Sequence, residues 1–162
     1  MNLYVISDTH FYHKNIIEFT GRPTDFSERL WKGFDTLEDE DVLIHCGDIT
    51  MGMDAMVHEK LKTYKFKKWL IRGNHDKHSI AWYTKNGWDS VFDEALISMF
   101  GERILFTHAP YPKRQDVSKN IHGHLHGGKS RGRPDFYDES YHIEVTPEVI
   151  GYVPARVGNQ II

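Results

Sequence analysis

Short, unbroken apolar runs alternate with longer amphipathic ones along the first two thirds of this chain. Residues 3–7, 42–46, 69–71 and 104–106 are rich in Val, Ile and Leu without polar alternation, as strands buried on both faces are. Each run stops at polar residues able to act on something: Asp8-Thr9-His10, Gly47-Asp48, Arg72-Gly73-Asn74-His75-Asp76 and Thr107-His108. Between the strands, Leu30, Trp31, Phe34 and Leu37 recur at helical spacing, as do Met53, Met56, Val57 and Leu61, which predicts core-facing helix stripes. Asp76 is placed to cap a helix over residues 77–86, which Gly87 would close. The order is β-α-β-α-β-α.

The second half changes character. Residues 95–100 and 103–107 read as strands around a Gly101-Glu102 hairpin signal, and residues 120–122 and 141–145 as further strands with no long helix between them. Antiparallel additions to a mixed sheet are expected. No internal repeat, low-complexity tract or linker divides the chain, so residues 1–162 are read as a single domain.

Seven residues able to bind metal stand at these strand ends: Asp8, His10, Asp48, Asn74, His108, His124 and His126. Asp8 and His10, at positions i and i+2, share a face of an extended chain and can grip one ion. Asp48 follows a glycine, which lets the backbone turn sharply. Carboxylate, imidazole and amide donors without thiolate suit Mn²⁺ first, with Fe, Zn²⁺ or Ni²⁺ as other fits, and seven ligands suit two divalent ions better than one.

Composition narrows the reading. At 40% hydrophobic and 13% aromatic, the 162 residues can build a real core. A net charge of −3 argues against a protein that coats nucleic acid non-specifically, while leaving room for an enzyme that visits it locally. Eleven histidines lean toward metal or acid–base chemistry. No apolar stretch is long enough to span a bilayer and no signal-like segment opens the chain, so a soluble, cytoplasmic protein with no membrane association is expected. The single cysteine, Cys46, reads as a buried small hydrophobe.

Asp8-Thr9-His10, Gly47-Asp48, Gly73-Asn74-His75-Asp76, His108 and Gly123-His124-Leu125-His126 together resemble the ordered signature of the calcineurin-like metallophosphoesterases, over positions 8 to 126. The stretch from Asp8 to Ile16 further resembles short, stand-alone bacterial and phage members. The resemblance implies a four-layer α/β/β/α sandwich of two mixed sheets flanked by helices, with no cap domain and an open site. It implies that Asp8, His10 and His126 hold one ion, that Asn74, His108 and His124 hold the other, and that Asp48 bridges them. His75 would stay off the metals and face the substrate.

Two ions roughly 3.5–4 Å apart would lower the pKa of a shared water, hold the hydroxide in line with phosphorus and neutralise the phosphoryl oxygens. The expected activity is a binuclear phosphoester hydrolase, a phosphodiesterase acting on nucleotide or nucleic-acid-type esters, with His75 stabilising charge or protonating the leaving oxygen. A phosphomonoesterase on the same site and a non-catalytic metal-binding interaction scaffold are the rival readings. The expected partner is a phosphoester substrate such as a nucleotide or nucleic-acid end, with no obligate protein partner. Asp76 either orients His75 in a catalytic role or serves as a plain helix cap.

Several features have two readings. Lys113 and Arg114 after His108, and Lys129, Arg131 and Arg133 after His126, either hold substrate phosphates at the mouth or decorate surface loops. His13 either reaches the pocket or lies on the surface, and His122 either supports the site or simply packs. His45, Cys46, His58, His78 and His142 are left outside the site. The run Lys60, Lys62, Lys65, Lys67 and Lys68 reads as a solvated helix face. Gly123 to Ser130 fits a phosphate-binding P-loop pattern, but Gly132 and Pro134 would break the helix such a loop needs.

Overall fold

Val5 and Ile6 are neighbours on one strand, face opposite ways, and are both fully buried. They belong to β1 (Leu3–Ile6), which has a second sheet against one face and helices against the other. The computed structural model describes residues 1–129 and 132–158. In the first sheet β1 pairs in parallel with β2 (Val42–His45), which pairs with β3 (Lys67–Ile71) and then β4 (Ser90–Phe92). The short β9 (Ala155–Arg156) adds antiparallel on the other side of β1. The second sheet runs β5 (Ala95–Met99), β6 (Glu102–Phe106), β7 (Lys119–His122) and β8 (His142–Glu144).

The two mixed sheets meet through Val5, Ile44 and Ile71 with Ile104, Phe106 and Ile121. Ile6, Leu43 and Leu70 point the other way, under α1 (Asn15–Thr20), α2 (Phe26–Phe34), α3 (Asp54–Leu61) and α4 (Ile80–Lys85). Burial on both faces is why these strands read as continuous apolar runs. Leu30, Trp31 and Phe34 of α2 fill the helical layer with Leu37 just beyond, and Trp31 stacks on Phe11 at 3.9 Å between ring centroids. On the far side of the second sheet Leu105 of β6 packs against Val117 and Tyr141 from connecting segments. A short α5 (Pro147–Ile150) closes the described helices. Among the described residues no helix is long and apolar enough to cross a membrane.

The structure corrects several expectations. Strands β7 and β8 pair in parallel, and among the described residues only β5–β6 and β1–β9 are antiparallel. A parallel pair needs a long crossover, not necessarily a helix. The connection between β6 and β7 is held by Asn120, whose side chain donates to Leu105 O and Thr107 Oγ1 and accepts from Tyr111 N. In α3 the core face is Val57 and Leu61, while Met53 and Met56 are 39% and 46% exposed. Asp76 caps no helix: α4 starts later, and Ser79 Oγ accepts from Trp82 N. The lysine run is not one helix face, because Lys67 and Lys68 lie on β3 and Lys68 is buried, donating to Tyr64 O and Phe66 O.

Candidate metal centre

Strands β1, β2 and β3 end at one edge of their sheet, and their loops stay zipped beyond it. Asp8 N donates to Gly47 O at 2.8 Å, His10 N to Asp48 O at 3.0 Å and Phe11 N to Ile49 O at 2.9 Å. Gly123 N donates to His108 O at 2.8 Å in the second sheet, and Ser7 N joins the sheets through Val145 O at 3.0 Å. This packing leaves no room for side chains at Gly47, Gly73 and Gly123. Gly47 has φ 92°, and a Cβ there would strike the Gly73 backbone. A Cβ on Gly123 would overlap the Asp8 carboxylate and the Ser7 hydroxyl.

Five of the seven predicted ligands have left-handed backbones: Asp8 (φ 50°), His10 (44°), Asp48 (58°), His124 (72°) and His126 (53°). That conformation costs an L-residue about 1–2 kcal/mol, so neighbouring groups must hold it. Arg22, buried, donates to Asp8 O at 2.7 Å and Thr9 O at 2.8 Å. The Asp76 carboxylate accepts from Gly73 N at 2.7 Å, Asp48 N at 2.8 Å and Ile49 N at 3.3 Å. Asp8 Oδ2 accepts from His124 N at 2.8 Å and from Ser7 Oγ. Thr9 Oγ1 donates to Ile49 O and stands 2.9 Å from His45 Nε2.

The side chains thus held form two groups able to grip an ion, Asp8 with His10 and His126, and Asp48 with His108 and His124, the donor atoms of each lying within 4.8 Å of one another. Asp48 Oδ2 stands between them, 3.7 Å from His10 Nε2 and 3.5 Å from His108 Nε2. His108 Nδ1 is 2.9 Å from Cys46 O, so in the neutral ring the proton sits there and Nε2 carries a lone pair. That lone pair meets Asn74 Oδ1 and His124 Nδ1, each at 3.0 Å. Asp8 Oδ1 is buried with no hydrogen-bond partner, 3.4 Å from His126 Nε2 and 3.7 Å from His10 Nε2. Electron-pair donors gathered this closely, one of them an orphaned buried carboxylate oxygen, fit divalent cations.

Charge agrees with that fit. Burial opposes the ionised Asp8 carboxylate, yet His108, His10 and His126 hold its pKa well below the usual range. Burial also disfavours a charged His108, and the Asp8 and Asp48 carboxylates outweigh it and raise the pKa. Burial raises the pKa of Asp76 against the three amides that support its ionised form, with the Asp48 charge adding to the rise. Glu148 is pulled down to about 2: burial works against the carboxylate, and His126 and Arg22 more than offset it.

An open cavity above these atoms is lined by His10, His13, Asp48, Asn74, His75, His124 and His126 with Ile16, Phe19 and Met51. His75 stands at its rim with a 38% exposed side chain, Nε2 3.9 Å from Asp48 Oδ2, while its backbone N donates to Asp48 Oδ1. Of the open readings, His13 does face the cavity. His122 is buried, its Nδ1 2.8 Å from Gly123 O and its Nε2 3.3 Å from Tyr137 Oη, and burial draws its pKa down to about 4. Asp76 spends its oxygens on backbone amides and makes no bond to the His75 ring. Among the described residues the basic loops contribute nothing to the lining. Lys113 pairs with Asp138, Arg114 with Asp116 and Glu94, Arg133 with Glu139, and Lys129 is exposed elsewhere. Arg131 lies outside the described residues. No described helix begins at Lys129, only a 3₁₀ turn over His126–Gly128, so the P-loop reading has no structural support.

Arg22 and Glu148 were not singled out from the sequence. Glu148 Oε1 lies 3.2 Å from His126 Nδ1, and orienting that ring is its evident effect. Thr146-Pro147 announces the helix start before it, but nothing local announces a reach of 22 residues back to His126.

A family model described as the calcineurin-like phosphoesterase superfamily domain matches residues 1–133. MJ1445 of Methanocaldococcus jannaschii, whose function is uncharacterised, is 29% identical, the match covering 96% of this chain and 86% of its own. The crystal structure of AQ665 from Aquifex aeolicus, of unknown function, superposes with a TM-score of 0.75 at 27% identity, covering 96% of this chain and 95% of that one. An archaeal phosphodiesterase shares the fold at a TM-score of 0.55 and 18% identity, covering 91% of this chain and 83% of its own. The chain therefore belongs to the calcineurin-like phosphoesterase superfamily and is a phosphoester hydrolase of that metal-dependent family.

Proposed function

We propose that the cavity hydrolyses phosphodiesters with two divalent ions, one held by Asp8, His10 and His126 and the other by Asn74, His108 and His124, with Asp48 common to both. The observation that carries this reading is the position of Asp48 Oδ2, 3.7 Å from one imidazole and 3.5 Å from another on opposite halves of the donor set. Mn²⁺ suits this mixture of carboxylate, amide and imidazole, with Fe, Zn²⁺ and Ni²⁺ as alternatives. Bound divalent ions supply Lewis acidity, a lowered water pKa and neutralisation of phosphoryl charge.

The chain's own residues do the rest. His75 is off the two donor groups, exposed, and within reach of a group seated over Asp48, so it donates a proton to the leaving oxygen. General acid help of that kind is worth about 10²–10⁴-fold. Asp76 is a positioning residue for the Asp48 loop, and Glu148 and Arg22 position His126 and Asp8.

Diesters are favoured over monoesters because, among the described residues, the cavity lining carries no lysine or arginine. A monoester brings a second negative charge, for which the described lining offers no lysine or arginine, whereas a diester brings one. Hydrolysis of bis(p-nitrophenyl) phosphate and p-nitrophenyl phosphate by Mn²⁺-loaded protein tests this. The diester should be preferred and both activities lost in Asp48→Asn; hydrolysis of neither ester by the wild type overturns the reading.

A further inference from the structure

The apolar side of the cavity has no role in that chemistry. Ile16 and Phe19, three residues apart and hence on one face of α1, line it together with Met51 from the loop after β2. Phe19 is 64% exposed and Met51 37%, large apolar side chains held at the mouth of a polar centre. We propose that Ile16, Phe19 and Met51 form a specificity subsite for an apolar substituent, aryl or alkyl, on the non-leaving side of a phosphodiester substrate. The proposal rests on the phosphodiesterase reading above.

Three observations carry it. The wall is continuous with the donor set, since the same cavity is bounded by His10, Asp48, Asn74 and His124. The cavity encloses only about 170 Å³, below the ~300 Å³ typical of a site that swallows a whole small-molecule ligand, so the arms of an ester must lie along its walls. Among the described residues those walls carry no lysine or arginine, and their Ile16–Phe19–Met51 side carries no polar side chain, so an arm resting there is recognised by apolar contact instead of charge. The support is also firm: Ile16 packs into the helical core, Thr20 Oγ1 donates to Ile16 O, and Gly21 in the left-handed conformation ends the helix. A Phe ring and a thioether accept both flat and flexible apolar groups.

Three diesters sharing one leaving group separate this subsite from the chemistry: methyl, n-hexyl and phenyl p-nitrophenyl phosphate. With Mn²⁺-loaded wild type, kcat/KM for the phenyl or hexyl ester should exceed that for the methyl ester about tenfold, the effect of burying roughly two methylene groups, and the gain should lie in KM. A phenyl-only advantage assigns an aryl arm and an equal hexyl advantage an alkyl one; either supports the subsite. In Phe19→Ala and Met51→Ala the ratio to the methyl ester should fall toward one, while Phe92→Ala, at an exposed position outside the lining, keeps it. Equal wild-type rates on all three esters overturn the proposal, and so does an equal loss on all three in Phe19→Ala, which marks a structural role. Retention of the wild-type ratio in Phe19→Ala with a dimer dissociating in sedimentation velocity would make the wall a contact between copies, and also overturns it. Hydrolysis of none of the three defeats the phosphodiesterase reading itself, and the subsite with it.

Discussion

Arg22 Nε donates to Glu148 Oε1 at 2.7 Å, and the same oxygen lies 3.2 Å from His126 Nδ1. A buried cation is thereby tied at one end to the Asp8 and Thr9 carbonyls and at the other to the carboxylate that aims His126 Nε2 at Asp8. The two sides of one donor group are aligned by a single ion pair.

Removing the carboxylate should loosen the imidazole without removing any metal donor. Glu148→Gln is expected to weaken Mn²⁺ binding by about 10–100-fold, as loss of a ligand's orienting partner typically does. Calorimetric titration of metal-free protein reads this directly, and an unchanged dissociation constant would show that His126 is aimed by packing alone. Arg22→Ala leaves Glu148 buried without its cation and should destabilise the fold by about 3–5 kcal/mol in chemical denaturation.

His122 is buried neutral, its pKa drawn down from the ordinary 6.5 to about 4 by burial. Between those values the unfolded chain binds the proton and the folded chain does not. Stability contributed by the neutral ring is therefore present above pH 6.5 and is lost as pH falls toward 4, with a slope of up to about 1.4 kcal/mol per pH unit. His122→Gln should flatten the stability profile in that interval; a profile as steep as the wild type's would assign the slope to other groups, of which His45, drawn down to about 3 by burial, is the first candidate.

Gly123 lies where a β-carbon would overlap the Asp8 carboxylate and the Ser7 hydroxyl. Gly123→Ala should cost about 1–3 kcal/mol as overpacking, and because Asp8 must move, metal affinity should fall as well. Melting with and without Mn²⁺ separates the effects: the stabilisation given by the ion should shrink in the variant. Full retention of that stabilisation would mean that Asp8 has kept its place.

The strand ends were legible in the sequence because strands buried on both faces leave continuous apolar runs, and a polar residue breaking such a run is conspicuous. Asp8, Asp48, Asn74 and His108 were all visible in that way. The direction of β7 was not, since Asn120 organises the β6–β7 crossover through side-chain bonds that have no periodicity. Nor was the exposure of Met53 and Met56, because helical spacing marks a stripe without saying what covers it. Lys113 and Arg114 follow His108 closely in sequence, but their partners Asp138, Asp116 and Glu94 draw them into surface ion pairs. Arg22 and Glu148 depend on a contact across 126 residues, which no local pattern encodes.

His75 and Asp76 are adjacent in the chain and should fail in opposite ways. His75 reaches the cavity rim and is off both donor groups, so His75→Ala should lower kcat by about 10²–10⁴-fold while Mn²⁺ affinity stays within about twofold of the wild type. Asp76 accepts three backbone amides, and Asp76→Asn cannot satisfy all of them, since one of its two side-chain positions becomes a donor. Its effect should appear first as weaker metal binding and a lower melting temperature, with added Mn²⁺ restoring part of the lost rate. Metal excess should restore nothing in His75→Ala, because there the missing piece is a proton donor and not the shape of the Asp48 loop. If saturating Mn²⁺ rescued His75→Ala and left Asp76→Asn inactive, the two roles would have to be exchanged.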